Sequence, residues 1–161
     1  MVIILFGVAG AGKTTVGRLL STELGWHFYD ADQFQSAGNI EKMRRGIPLT
    51  DEDRRPWLAE LQKLIEEKLK RGENAVLACS ALKRSYRRAL RLGDGVRFVY
   101  LKGSHPLIEA RLAKRAGHYM NPALLQSQFE TLEEPEGEAL MIDVRNGPGE
   151  IVRQIRSGLE I

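Results

Sequence analysis

Five short apolar runs, separated by stretches of helical periodicity, set the plan of this chain. Val2–Phe6 is wholly apolar and rich in β-branched residues, the pattern of a strand buried on both faces of a parallel sheet. His27–Asp30 and the runs 75–79, 97–101 and 139–143 are four further strand candidates. Between them, apolar residues recur at intervals of three and four. Val16, Leu19, Leu20 and Leu24 form one such face; Trp57, Leu58, Leu61, Leu64, Ile65 and Leu69, closed by Gly72, form a longer one. Ile151, Val152, Ile155 and Leu159 make a third. Asn121-Pro122 reads as an N-cap with proline at the first helical position, opening a helix through Leu124, Leu125, Phe129 and Leu132. Pro56 must either open the long helix or kink it, because it lacks the N–H a helix interior needs. Strands alternating with helices predict an α/β protein: a parallel five-stranded sheet with helices on both faces and ligands at the carboxyl ends of the strands.

Two segments break the periodicity. Residues 31–50 contain Gly38 and Gly46, and residues 111–120 gather Arg111, Lys114, Arg115, Gly117 and His118. Irregular stretches inside a compact domain are usually functional. They are expected to be a substrate-covering segment over about 31–56 and a basic lid over about 111–120, within one domain spanning 1–161.

With 161 residues, 43% of them hydrophobic and 28% charged, the chain has an ordinary globular composition and can bury a core. Its formal charge of +3 suits anionic small molecules as well as nucleic acid. The single cysteine, Cys79, excludes an internal disulfide and fits a reducing compartment. No apolar run reaches the length of a membrane span, and the first strand begins too early to leave room for a cleaved signal peptide. A cytoplasmic protein is the expectation.

The chemistry begins directly after the first strand. Gly7-Val8-Ala9-Gly10-Ala11-Gly12-Lys13-Thr14 is a complete GxxxxGKT loop between a strand and a helix, the context in which this motif binds phosphate. Gly7, Gly10 and Gly12, with Ala9 and Ala11, let backbone N–H groups turn inward at phosphate oxygens, and the helix dipole adds to the attraction. Lys13 would reach the β- and γ-phosphates. The Thr14 hydroxyl would ligate Mg²⁺, with Thr15 beside it at the nucleotide. The loop predicts a nucleoside triphosphate, and residues 143–148 are a reasonable place for its adenine.

Asp30-Ala31-Asp32 puts two carboxylates at the ligand edge of the sheet. One could support Mg²⁺ through water while the other orients or deprotonates an attacking hydroxyl; a plain turn or helix cap is the structural alternative. The third strand ends Cys79-Ser80-Ala81-Leu82-Lys83 without the aspartate of motor-type or GTPase-type P-loop proteins, which argues against those classes. Lys83 and Arg87, four apart, could share a helix face and clamp an anion, with Arg84, Arg88 and Arg91 on the solvated side. Cys79 reads as a small core residue. Arg111, Lys114 and Arg115 could close over the triphosphate and stabilise charge during transfer. His27 and His105 receive no role.

Several segments together resemble the gluconokinase family of small P-loop carbohydrate kinases. They are Asp30-Ala31-Asp32, Asn39-Ile40-Glu41-Lys42-Met43, the run 46–58 (GIPLTDEDRRPWL), Cys79-Ser80-Ala81-Leu82-Lys83, Tyr86-Arg87, the run 100–103, Arg115-Ala116-Gly117-His118-Tyr119 and the run 128–135 (QFETLEEP). The resemblance implies a nucleoside-monophosphate-kinase-like fold, ATP and Mg²⁺, phosphorylation of gluconate at its 6-hydroxyl, and commonly a homodimer. Gluconate is an anion, so Arg54, Lys83 and Arg87 are candidates for its carboxylate. Asp32, Asn39 and Gln128 are candidates for its hydroxyls, and the matching segments add Lys42 and His118. Asp32 is the better candidate for the attacking hydroxyl and Asp30 for Mg²⁺ and substrate, although the two roles could be exchanged.

One position departs from the pattern. The family usually has histidine three residues after the second aspartate, followed by proline; this chain has Gln35-Ser36. Position 35 is therefore where acceptor preference would differ. The nearest rival is a kinase of the same fold acting on another sugar acid or on a shikimate-like acid, but the glycine triplet of shikimate kinases is replaced by Ser80-Ala81-Leu82. A nucleic-acid protein would need an extended basic tail or a recognisable module, and the sequence has neither. The paired aspartates argue against a non-catalytic ATP switch.

Overall fold

The computed structural model describes residues 1–115 and 122–161. Strands β1 (Val2–Phe6), β2 (His27–Asp30), β3 (Ala75–Ala78), β4 (Val96–Lys102) and β5 (Leu140–Asp143) form one sheet in the order β2-β3-β1-β4-β5. Every neighbouring pair is parallel. The chain builds first on one side of β1 and then on the other, so a crevice opens at the carboxyl end of β1, where the winding reverses.

Helices cover both faces: α1 (Lys13–Leu24), α2 (Ala37–Arg44), α3 (Asp51–Arg71), α4 (Arg84–Leu90), α5 (His105–Ala113), α6 (Pro122–Thr131) and α7 (Pro148–Leu159). The period of two along a strand explains how β1 serves two cores while every one of its residues is buried. Ile3 and Leu5 join Val16 and Leu20 of α1 and Ile151, Val152 and Ile155 of α7. Val2, Ile4 and Phe6 face the other way, onto Trp57, Leu61 and Ile65 of α3 and Leu90 of α4.

The regular elements fall close to their expected positions, with differences at the ends. β3 stops at Ala78, β4 gains a residue at each end, and β5 begins at Leu140. Pro56 does not open α3. A capping box does so six residues earlier: the Thr50 side chain accepts from the Asp53 N–H, and the Asp53 carboxylate accepts from the Thr50 N–H. Asp51, Glu52 and Asp53 in the first turn complement the helix dipole, so Pro56 lies inside an already established helix. Residues 31–50 are more ordered than their sequence suggests. Asp30 caps a single 3₁₀ turn (Ala31–Phe34) and Ser36 caps α2 through the Asn39 N–H. Arg111 lies in the last turn of α5, so the segment expected to turn irregular at 111 stays helical to Ala113. His118 and the rest of the expected lid after Arg115 lie outside the described residues. Among the described residues, no helix is long and apolar enough to cross a membrane.

Candidate active site

The phosphate loop sits in the crevice at the end of β1. Gly7 must be glycine. Its φ is +153°, and a Cβ there would lie 2.7 Å from the Leu101 carbonyl oxygen. Gly12, also at positive φ, turns the chain into α1. The Lys13 ammonium folds back over the loop and donates to the carbonyls of Gly7 and Val8, each at 2.9 Å. Burial lowers its pKa, while the nearby Asp32 and Asp30 charges oppose that shift.

A cavity of about 180 Å³ opens above the loop, lined by Ala9, Gly10, Gly12, Lys13 and Thr14 on one side and by Asp30, Asp32, Arg115 and Gln128 on the other. β2 delivers the two aspartates. The Asp30 carboxylate accepts from the Asp32 N–H at 3.0 Å, and the buried Trp57 indole donates to the Ala31 carbonyl at 2.7 Å, pinning the turn between them to α3. Asp32 keeps an exposed edge, yet the enclosing cleft and then the Asp30 charge push its carboxyl above the usual range, with Lys13 pulling the other way. An aspartate of raised pKa beside a phosphate loop is suited to taking a proton from a hydroxyl. Cys79, sealed beneath the site, has its thiol pushed up to about 12 by burial and is chemically inert at neutral pH.

A second, smaller cavity of about 50 Å³ adjoins the first. Asp32, Met43, Ser80 and Gln128 line both cavities; Gln35, Arg54, Ser127 and Thr131 line only the second. Gln128 is the physical link between them, because its side-chain oxygen accepts from the Ala9 N–H of the phosphate loop at 2.7 Å. Arg54 is steadied by donating to the Leu49 carbonyl at 2.7 Å and to the Tyr86 hydroxyl at 3.1 Å. The Tyr86 hydroxyl in turn donates to the Asp51 carboxylate.

Four sequence candidates act on the scaffold instead of lining either cavity. Lys83 is the N-cap residue of α4, so it does not share a helix face with Arg87. Its ammonium is paired with Asp51 at 2.9 Å, and no clamp forms. Arg87 is 2% exposed. Its guanidinium donates to the carbonyls of Ala81, Leu82 and Glu133 at 2.7–3.0 Å, pairs with Glu138 at 3.4 Å, and lies over the Phe6 ring. It ties the loop after β3 to the chain leaving α6, because buried carbonyls need donors more than a distant anion needs a cation. Lys42 pairs with Asp53, and the buried Asn39 amide donates to Gln35 and to the Asp53 carbonyl. Arg84 and Arg91 are not simply solvated either: Arg84 pairs with Glu136, and Arg91 donates to the Glu138 carbonyl.

Thr15, Arg111 and Arg115 line a third cavity, of about 380 Å³, on the far side of the loop, with Ala11, Arg145, Asn146 and Pro148. The Arg111 guanidinium donates to the Val144 carbonyl and so holds the segment expected to receive adenine. Arg115 lines both this cavity and the phosphate cavity. Sequence reasoning passed over Met43, Ser80, Ser127 and Thr131. Ser127, Gln128 and Thr131 stand at i, i+1 and i+4, a polar helical stripe that was available as a signal.

A parallel sheet with a phosphate loop at its reversal point, opening through a shared wall onto an acidic, arginine-bearing cavity, is the architecture of a P-loop small-molecule kinase that uses ATP. A family model described as an AAA domain matches residues 2–135. The chain is 48% identical over 143 residues to the gluconokinase of Gluconobacter oxydans, a match covering 88% of this chain and 80% of that protein. Among solved structures, it matches a gluconokinase from Sinorhizobium meliloti at 44% identity and a TM-score of 0.88, over 98% of this chain and 90% of that one. It matches a sugar kinase from Janibacter sp. at 42% identity and a TM-score of 0.93, over 99% and 94%. The chain belongs to the gluconokinase family.

Proposed function

We propose that this chain transfers the γ-phosphoryl group of ATP to the 6-hydroxyl of D-gluconate, giving 6-phosphogluconate and ADP. One observation carries this reading: Asp32 and Gln128 stand in the wall common to the two cavities, so a hydroxyl held in the second lies against the phosphoryl held in the first. Backbone N–H groups of the loop hold the phosphates, and Lys13 leaves its carbonyl partners for the β- and γ-oxygens. Asp32 accepts the hydroxyl proton as the oxygen attacks. Arg115, at the junction with the third cavity, balances charge on the transferring group. Arg54 meets the carboxylate of the sugar acid at the opposite end.

The Thr14 hydroxyl and the Asp30 carboxylate, both in the wall of the phosphate cavity, are hard oxygen donors of the kind Mg²⁺ takes when phosphate and water complete its shell. Thr14 and Asp30 would hold the ion, which neutralises charge on the β- and γ-oxygens when bound. A lid over 111–120, a covering segment over 31–56, a cytoplasmic location and a homodimer are part of the same reading. Sedimentation equilibrium tests the dimer.

ADP release with Mg²⁺-ATP across gluconate, other aldonates, shikimate and neutral sugars tests the activity. Turnover confined to gluconate is expected. Turnover on another acid, with gluconate silent, overturns the assignment.

A further inference from the structure

The amide of Gln35 has a direction, set by a relay that starts in the backbone of α3. The Asp53 carbonyl can only accept, so the Asn39 atom 2.8 Å from it is the amide nitrogen Nδ2. That same nitrogen lies 2.9 Å from the Gln35 side chain, which must therefore present its oxygen there. The relay is rigid at its source. Asp53 is locked in the capping box of α3 and pinned by Lys42, and Asn39 is held by the Ser36 cap at the start of α2. Both amides are almost wholly buried, at 8% and 9% exposure. With its oxygen engaged, Gln35 turns Nε2 the other way. Among the described residues that nitrogen has no partner, and it is not sealed from solvent. Gln35 lines the second cavity.

Gln35 and Arg54 belong to that cavity but not to the phosphate cavity, whereas Asp32 belongs to both. The first two residues therefore face the acceptor on the side away from the phosphate loop. Resting on the aldonate kinase reading above, we propose that Gln35 is a specificity-determining residue: its Nε2, oriented by the Asp53–Asn39 relay, donates to the acceptor's carboxylate beside the Arg54 guanidinium. The contact is donor-only and neutral. It rewards an oxygen that can accept, and a carboxylate accepts more strongly than a hydroxyl.

The substitutions Q35E and Q35M separate the possibilities. In Q35E one carboxylate oxygen still accepts from Asn39, so the relay survives, while the atom facing the cavity changes from donor to charged acceptor. Q35M removes the donor without adding charge. A carboxylate partner cannot donate to the new acceptor, so the gluconate KM is expected to rise severalfold in Q35M and by roughly tenfold more in Q35E, with the ATP KM within about twofold of the parent. A hydroxyl partner would donate to the new carboxylate, so a Q35E gluconate KM at or below that of Q35M overturns the carboxylate contact. An unchanged gluconate KM, or an ATP KM rising in step, overturns the assignment outright. Circular dichroism melting accompanies each variant. If Q35E does not fold, Q35M decides: a selective rise in the gluconate KM supports the contact and its absence overturns it. Failure of the parent protein to turn over gluconate would instead defeat the kinase reading and is scored separately in the same assay.

Discussion

The floor of the phosphate cavity, Ala9, Gly10, Gly12, Lys13 and Thr14, comes from one run of eight residues, whereas the acceptor cavity beyond the shared Asp32, Ser80 and Gln128 draws Gln35, Arg54, Ser127 and Thr131 from separate parts of the chain. The first is made largely of backbone N–H groups whose direction follows from glycine dihedrals and a helix start. The second is made of side chains, several of them held by partners elsewhere: Tyr86 on Arg54, Asn39 on Gln35, the Ala9 N–H on Gln128. The difference teaches why one nucleotide-binding design serves many acceptors. Once its glycines are in place, a cradle of backbone N–H groups presents the same chemistry whatever the acceptor, while a cavity of supported side chains changes its chemistry with a single residue.

The comparison can be broken most severely at the residue that brings a side-chain charge to the backbone cradle. Lys13→Ala is expected to reduce turnover by roughly 10²-fold or more with the melting temperature preserved, because charge stabilisation at the transferring phosphoryl is lost while the loop backbone remains. Steady-state kinetics beside a thermal melt checks it; near-normal turnover would remove Lys13 from the mechanism.

Asp32 tests the shared wall. Asp32→Asn is expected to lower kcat by about 10²-fold, within the range of general base catalysis. Because burial in the cleft and the Asp30 charge raise the Asp32 carboxyl, the parent enzyme should lose activity on acidification at a higher pH than an ordinary aspartate would give. The working form is the ionised one, so activity is present above the raised pKa and falls below it. A pH profile of kcat/KM whose acid limb survives unaltered in Asp32→Asn would assign the base elsewhere.

Arg87 tests whether support matters as much as contact. Arg87→Leu leaves the Ala81, Leu82 and Glu133 carbonyls without their donor and is expected to cost about 2 kcal/mol of stability, read by urea unfolding. A variant as stable as the parent would contradict the keystone role.

The smallest expected effect lies at Gln128. Gln128→Leu frees the Ala9 N–H, which a phosphate oxygen would claim in any case, so the ATP KM should hold while the gluconate KM rises roughly fivefold, the size of one hydrogen bond. Equal changes in both constants would place Gln128 on the nucleotide side alone.

Much of this could be read along the chain, and what could not follows a rule. Hydrophobic period placed the five strands and the long helices, because burying an apolar face is a local demand repeated at every turn or pleat. The 3₁₀ turn and α2 were not legible: eight residues such as Ala37–Arg44 carry too little apolar signal, and their order comes from the caps Asp30 and Ser36 and from Asn39 reaching α3. Pro56 left two starts open, at the proline or before it, and the choice rests on the capping box that pairs Thr50 with Asp53. Lys83 and Arg87 misled in a different way. Spacing shows which cations are near in sequence but not which carbonyls and carboxylates will surround them.

The sequence alone determined that this protein has an α/β core and a phosphate loop between β1 and α1, because a strand period, glycines at fixed offsets and a helix start are properties of contiguous residues. Only the tertiary structure decided that Arg54 lines the second cavity while Arg87 and Lys83 hold the scaffold, that Gln128 touches the phosphate loop, and that Gln35 gives its amide oxygen to Asn39. A buried polar group takes whichever partner the fold brings within hydrogen-bond distance, and for these residues most such partners lie far away along the chain.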